Sequence, residues 1–125
     1  MRLLLDTHIF LWAVAGSRLL KPATRRLIES ADEVFVSAAS IWEVAIKARL
    51  GKIEADPAEL AVAIAASGFK ELAVSAAHAA GVAQLELHHN DPFDRLLIAQ
   101  ALAEPLKLLT ADAVLVQYTD LVVLV

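Results

Sequence analysis

Short apolar runs alternate with longer segments of helical periodicity along the whole chain. This pattern predicts five strands, at residues 3–5, 33–36, 70–73, 107–109 and 122–124. It predicts helices at 7–15, 22–30, 39–50, 56–67, 76–85 and 92–103, with a further short helix at 111–116. Strands and helices therefore follow one another in a β-α alternation from end to end.

Turn residues support this segmentation. Three glycines follow predicted helices, where a left-handed backbone is needed, and three prolines open helices: Gly16, Gly51, Gly68, Pro22, Pro57 and Pro92. The strands are apolar without alternation, which is typical of parallel strands buried on both faces. We therefore expect a three-layer α/β/α domain with a central parallel sheet of about five strands, covering residues 1–125 as one unit.

Composition narrows the possible functions. Hydrophobic residues make up 58% of the 125 residues, yet no apolar run approaches the roughly 20 residues of a membrane span. The first residues lack the features of a secretory signal, so we expect a cytoplasmic protein. Because the chain has no cysteine, any metal must bind to oxygen or to the four histidines, which favours Mg²⁺ or Mn²⁺. The net charge of -4 disfavours a simple basic nucleic-acid coat.

Acidic residues follow several of the predicted strands and helix starts. Ligands of such sheets bind beyond the carboxyl ends of the strands. Asp6 follows the first strand, Glu43 lies in the helix after the second, and Asp112 follows the fourth, while Asp94 opens the apolar helix 92–103. We expect these four carboxylates to converge in one pocket, where divalent cations would relieve their repulsion.

Each acid also has a purely structural interpretation. Asp91 precedes Pro92 and is a good N-cap, so capping is at least as good an account of it as catalysis. Ser40 and Glu43 match a capping box, and Thr110 could cap a short helix that contains Asp112. Asp6 is harder to explain in this way, since burial of an ionised carboxylate behind three leucines costs several kcal/mol unless a cation or hydrogen bonds compensate.

Four sequence stretches resemble the PIN domain family, and within it the VapC-type toxins of toxin–antitoxin pairs. They are LLLDTHIFLW, VSAASIWEVAIKARLGKI, HHNDPFDRLLIAQALAE and LLTADAVLVQY, and they span nearly the whole chain. The resemblance implies a Mg²⁺- or Mn²⁺-dependent ribonuclease that cleaves RNA, forms a homodimer and is occluded by a small antitoxin protein. It makes Asp6 the central metal ligand. The other roles that it implies are metal binding by Asp94 and Asp112, partly through water, metal binding or water positioning by Glu43, and small polar positions lining the site at Thr7, Ser40 and Thr110.

Several other residues have more than one interpretation. Lys47, Arg49 and Arg95 are candidates for RNA contacts, although Lys47 could simply pair with Glu43 one helical turn away. Four histidines are assigned from their positions: His8 to packing or support of the site, His78 to structure, and His88 and His89 to a solvated loop that could touch phosphate. Phe10, Trp12 and Trp42 are candidates for an exposed interface, although for Trp42 we favour a place in the core.

Other functions remain open. The alternative to a ribonuclease is a non-catalytic PIN-like module that binds RNA or a protein partner, and a small phosphatase or a DNase could use the same metals. No glycine-rich phosphate loop follows any predicted strand, so nothing in the sequence favours a dinucleotide or ATP site.

Overall fold

A parallel sheet of five strands forms the centre of the computed structural model, which describes residues 1–125. The strands are β1 Arg2–Leu5, β2 Glu33–Ser37, β3 Lys70–Leu72, β4 Lys107–Thr110 and β5 Val122–Leu124. Their order in space is β3-β2-β1-β4-β5, and all neighbouring pairs are parallel. The central strand β1 therefore ends beside β2 and β4. The predicted parallel sheet is confirmed.

Six α-helices connect the strands. They are α1 Thr7–Ala15, α2 Pro22–Ser30, α3 Ala38–Arg49, α4 Pro57–Ala66, α5 Ala76–Gly81 and α6 Pro92–Ala103. Gly16 ends α1 with a φ of 61°, which confirms the left-handed position predicted there. Two predicted helices differ. Helix α5 ends at Gly81 and a 3-10 turn at Val82–Gln84 follows it, and the short predicted helix near Asp112 is a 3-10 helix at Ala113–Gln117.

The two faces of the sheet are covered by separate apolar clusters. Leu3 and Leu5 pack with residues of α1, α2 and α4 on one face. Leu4 packs with residues of α6 on the other face. All three leucines are fully buried, because a strand between two helical layers has no solvent face. The predicted three-layer arrangement is thus confirmed.

The burial of two aromatic residues is the reverse of our prediction. Trp42 is 59% exposed, so its assignment to the core is wrong. Its ring packs only edge-on against Phe93 at the start of α6, with ring centroids 5.1 Å apart. Phe10 of α1 is fully buried in the core, so it cannot serve an exposed interface.

His78 is structural, as predicted. It is buried, and its Nδ1 accepts a hydrogen bond from the Ser75 backbone N–H at 3.1 Å, while Nε2 lies 2.6 Å from Glu104. These contacts close the start of α5 and join it to the end of α6. None of the helices has the length and apolar character needed to cross a membrane.

Candidate metal and active site

Asp6 lies at the carboxyl end of β1, where the three central strands meet. Its backbone N–H donates to the Leu109 carbonyl at 2.9 Å, so the ladder between β1 and β4 fixes its position. The side chain is 5% exposed, and its Oδ2 accepts a hydrogen bond of 2.6 Å from the Thr110 hydroxyl. Burial raises the pKa of Asp6 above its usual value, although the bond from Thr110 acts in the opposite direction.

Glu43 reaches the same edge from α3. The cap of α3 is Ser37, whose hydroxyl accepts from the Ala39 N–H at 3.0 Å, so the predicted capping box of Ser40 and Glu43 is wrong. Ser40 and Glu43 instead face α1. The Thr7 hydroxyl donates to Glu43 Oε1 at 2.7 Å and lies 2.9 Å from the Ser40 hydroxyl. All three side chains are buried, so the network orients the carboxylate of Glu43.

The start of α6 contributes two further acids. Asp91 Oδ1 accepts from the N–H groups of Phe93 and Asp94 at 2.9 and 3.0 Å, which confirms its predicted role as the N-cap. This cap places Asp94 in the first turn of α6. Burial raises the pKa of Asp94 to about 7, with further contributions from the negative charges of Asp6 and Asp91.

Asp112 follows β4 on a turn that Thr110 stabilises. The Thr110 hydroxyl accepts from the Asp112 N–H at 3.0 Å, and Asp112 Oδ1 accepts from the Val114 N–H at 3.1 Å. Asp112 is therefore itself the cap of the 3-10 helix, and the prediction that Thr110 caps this helix is wrong. Thr110 joins the turn to Asp6 instead.

The acids enclose one cavity of about 390 Å³. The residues that line this acid cavity are Asp6, His8, Glu43, Lys47, Asp91, Asp94, Ala111, Asp112 and Ala113. The structure thus brings the four predicted carboxylates together, with Asp91 beside them and Thr7, Ser40 and Thr110 bonded behind them. Such a set of oxygen donors suits a hard divalent cation.

Lys47 is the one lysine that lines the cavity, and it pairs with an acid of its own helix. Its Nζ lies 2.6 Å from Glu43 Oε2, as the helical spacing predicted, and this bond raises the pKa of Lys47. Asp6 and Asp94 gain no comparable partner from any lysine or arginine. Arg49 is exposed in the last turn of α3, where its predicted contact with RNA stays a prediction.

Arg95 has a different role from the RNA contact that we predicted. Its guanidinium donates to the Tyr118 hydroxyl and to carbonyl groups in the loop before α6, at Val82, Leu85, Glu86 and His89. The donors are therefore engaged by the protein itself, and Arg95 organises this loop. Nothing in the sequence distinguishes such an arginine from one that faces RNA.

His89 lies beside two of the acids that line the cavity, a contact that the sequence did not reveal. Its Nε2 lies 2.9 Å from Asp94 Oδ2 and 3.9 Å from Asp112 Oδ2, and the side chain is 27% exposed. One ligand atom from each of these three residues lies within 4.8 Å of the others. In the sequence His89 is next to His88, and no local signal separates the two.

Comparisons with known proteins show the family and the fold of this chain. The PIN domain family model matches residues 3–121. The VapBC2 structure from Rickettsia felis, bound to a DNA fragment from its promoter, is similar over 100% of this chain and 98% of that chain, with a TM-score of 0.71 and 16% identity. A toxin–antitoxin complex from Klebsiella pneumoniae is similar over 96% of this chain and 94% of that chain, with a TM-score of 0.67 and 21% identity.

A third similar structure is that of FitAB bound to an IR36 DNA fragment, with a TM-score of 0.61, 17% identity and coverage of 88% of this chain and 85% of that chain. At these identities the structural likeness shows the fold alone. A comparison with curated proteins gave no sequence match. The family model covers nearly the whole chain, including every acid of the cavity, and the chain therefore belongs to the PIN domain family.

Proposed function

We propose that this protein is a metal-dependent endoribonuclease and the toxin of a toxin–antitoxin pair. The observation that carries the proposal is the convergence of Asp6, Glu43, Asp94 and Asp112 on one cavity at the carboxyl end of the central strands. Acids at the amino end of the sheet have cationic partners, whereas Asp6 and Asp94 gain none from lysine or arginine. A cation from solution would supply the missing charge.

The residues present fit Mg²⁺ or Mn²⁺, for which Asp6, Asp94, Asp112 and Glu43 offer carboxylate oxygens. When bound, such an ion would lower the pKa of the attacking water and stabilise the leaving oxygen at the phosphodiester. The protein contributes rigid positioning. The Thr7 and Lys47 bonds orient Glu43 toward the cavity, and the Thr110 bond holds Asp6 in place.

Lys47 and Arg49 are the cations that we propose for the RNA backbone. Lys47 lies at the border of the acid cavity, and Arg49 is exposed two positions further along α3. Few basic residues surround the site, so we expect phosphate contacts to contribute only part of the RNA affinity. The rest of the recognition would come from the shape of a single-stranded or folded RNA.

The toxin assignment extends to two protein partners. An apolar groove of about 810 Å³ adjoins the acid cavity and shares His8 and Lys47 with it. A segment of an antitoxin seated in this groove would reach the acids and occlude them. For the homodimer, Trp42 and Ile46 on α3 and Leu50 at its C-cap form an exposed stripe that offers apolar surface. Ile46→Glu should then convert a dimer to a monomer in sedimentation velocity.

Cleavage of RNA tests the catalytic part of the proposal. Purified protein with Mn²⁺ should cut a single-stranded RNA. Asp6→Asn should reduce the rate by at least about 100-fold, since the cation that stabilises the negative charge on the leaving oxygen would lose a ligand. The matched control is Asp120→Asn, the same change at an exposed acid away from the cavity. Cleavage in excess chelator, or full activity of Asp6→Asn, would contradict the proposal and would favour a binding module or a contaminant.

A further inference from the structure

Two neighbouring histidines precede α6, and they face different surroundings. His88 lies 3.1 Å from the exposed Glu86, and its ring packs edge-on against Tyr118 at 5.1 Å between centroids. His89 turns toward the acids, with Nε2 2.9 Å from Asp94 and 3.9 Å from Asp112. One imidazole therefore packs on the surface of the loop and the other lies beside two of the proposed metal ligands.

The protein fixes the backbone that carries His89. The His89 carbonyl accepts hydrogen bonds from Arg95 Nη1 and from the Tyr118 hydroxyl, each at 3.4 Å. Arg95 also bonds Glu86 and Leu85 in the same loop. Because these bonds fix the backbone of His89, the placement of its imidazole is a built feature of the fold.

The donor atoms of His89, Asp94 and Asp112 lie within 4.8 Å of one another. Ligands at about 2.1 Å from one ion can lie up to about 4.2 Å apart, so a shift of at most about 0.6 Å between the two farthest donors would bring all three onto one cation. We propose that His89 is a nitrogen ligand of the divalent cation in the acid cavity, and that it makes the site prefer a transition-metal ion such as Co²⁺ or Zn²⁺ over Mg²⁺.

The inference rests on the proposed metal site and adds to it the identity of one ligand. Imidazole nitrogen is a common ligand of zinc and other transition metals, whereas Mg²⁺ prefers oxygen ligands and keeps several waters. A cavity lined by carboxylates alone would therefore prefer transition metals over Mg²⁺ no more than the general order of metal affinities dictates. A cavity with one imidazole gains affinity specifically for the transition metal.

A simple ion pair between His89 and Asp94 predicts the opposite behaviour. In that case the imidazole competes with any incoming cation, so its removal would tighten the binding of every divalent ion. A ligand, by contrast, loses affinity when removed, and loses it unevenly between metals. The sign of the change and its dependence on the metal therefore separate the two roles.

Calorimetric titration of the full-length, metal-stripped protein with Co²⁺ alone and with Mg²⁺ alone measures both quantities. For His89→Ala we expect Co²⁺ affinity to fall about tenfold or more and Mg²⁺ affinity to change less than about threefold. His88→Ala, the matched control, should leave both affinities within about threefold of the parent. His89→Gln can still bond Asp94 and should fold normally, yet it should not recover Co²⁺ affinity.

Pulsed EPR of the Mn²⁺-loaded protein, with its histidines labelled with ¹⁵N, gives a spectroscopic check. We expect a nitrogen coupling that disappears in His89→Gln and persists in His88→Ala and His8→Ala. Four results would overturn the proposal. In calorimetry they are an equal loss of Co²⁺ and Mg²⁺ affinity in His89→Ala, tighter metal binding in His89→Ala, or no binding of Co²⁺ by the parent. In EPR it is a nitrogen coupling that depends on His8 instead of His89. RNA cleavage, measured separately, would still test the nuclease assignment, since a carboxylate-only site could support cleavage without His89.

Discussion

The two ends of the sheet treat their carboxylates in opposite ways. At the amino end, Glu33 of β2 lies 3.0 Å from Arg2 of β1 and 2.6 Å from Lys70 of β3. The hydrogen bond from Lys70 is the main reason that the pKa of Glu33 is lowered. At the carboxyl end, burial raises the pKa of Asp6 and brings that of Asp94 to about 7. The same sheet thus stabilises charge at one end and destabilises it at the other.

This difference separates a structural acid from the acids that we propose to be functional. The cross-strand partners of Glu33 satisfy its charge in solvent, so it needs nothing further from the surroundings. The acids of the cavity repel one another, and the metal-free protein carries a destabilised cluster that an added cation can relieve. Strain of this kind is typical of functional sites, where a binding partner supplies what the fold leaves out.

The largest effect is expected on the pH dependence of protein stability, through the ionisation of Asp94. A raised pKa means that the native state holds the proton more tightly than the unfolded state. The resulting stability is fully present below about pH 4 and is lost as the pH rises through about 7. In chelator at pH 8, Asp94→Asn should therefore be more stable than the parent by about 2 kcal/mol, after allowance for screening by solvent. Urea unfolding at pH 5 and pH 8 measures this difference.

The contrast in pH is the control for that prediction. The advantage of Asp94→Asn over the parent should shrink at pH 5, because the parent then retains most of its proton at this carboxyl. If Asp94→Asn is more stable than the parent by the same amount at both pH values, the substitution acts through packing. A destabilised variant at pH 8 would mean that the ionised Asp94 is well compensated in the metal-free protein.

A smaller effect is expected at Thr110, whose hydroxyl donates to the buried Asp6. Thr110→Val keeps the shape of the side chain but removes the hydrogen-bond donor to the Asp6 carboxylate. The free energy of unfolding should therefore fall by about 1 to 2 kcal/mol at pH 8. Thr119→Val is the matched control, since the Thr119 hydroxyl accepts one bond from the Leu121 N–H and makes no hydrogen bond to an acid. Equal losses of unfolding free energy in the two variants would remove the special status of the bond to Asp6.

The smallest effect is expected at the amino end. Glu33→Gln removes ion pairs that are exposed to solvent and screened by salt. The pKa of Glu33 is lowered, so its contribution is present above pH 4.5 and is lost as the pH falls through the native-state pKa. At pH 7 the unfolding temperature of Glu33→Gln should lie less than about 2 °C below that of the parent. This difference should disappear in 1 M salt, where the screening length is about 3 Å. A large, salt-independent decrease would contradict the comparison.

Much of the fold could be predicted from the sequence because burial leaves a direct trace there. Leu3, Leu4 and Leu5 show no alternation, and a strand covered on both faces needs none. Capping chemistry at Asp91 and the glycine at Gly16 marked helix limits correctly, since each depends only on local backbone geometry. The convergence of the acids followed from parallel topology, which brings the carboxyl ends of neighbouring strands together.

The missed features all depend on contacts between distant segments. Ser40 looked like a cap because its spacing to Glu43 is right, yet Ser37 caps α3 and Ser40 contacts Thr7 instead. Trp42 looked like a core residue because it is large and apolar, but it lies on an exposed side of α3, with its ring edge-on to Phe93. The positions of His89 and Arg95 depend on how one loop folds back on α6, and helical periodicity carries no information about that loop.

A thermal titration tests most directly whether the acid cavity holds a divalent cation. Mn²⁺ is added at pH 8 to metal-stripped parent protein and to Asp94→Asn, and the unfolding temperature is followed. Without metal the variant should be the more stable, and with metal the parent should rise past it, since a ligand at 100 times its Kd adds about 2.7 kcal/mol. Parallel responses of the two proteins, or no response of the parent, would contradict the account.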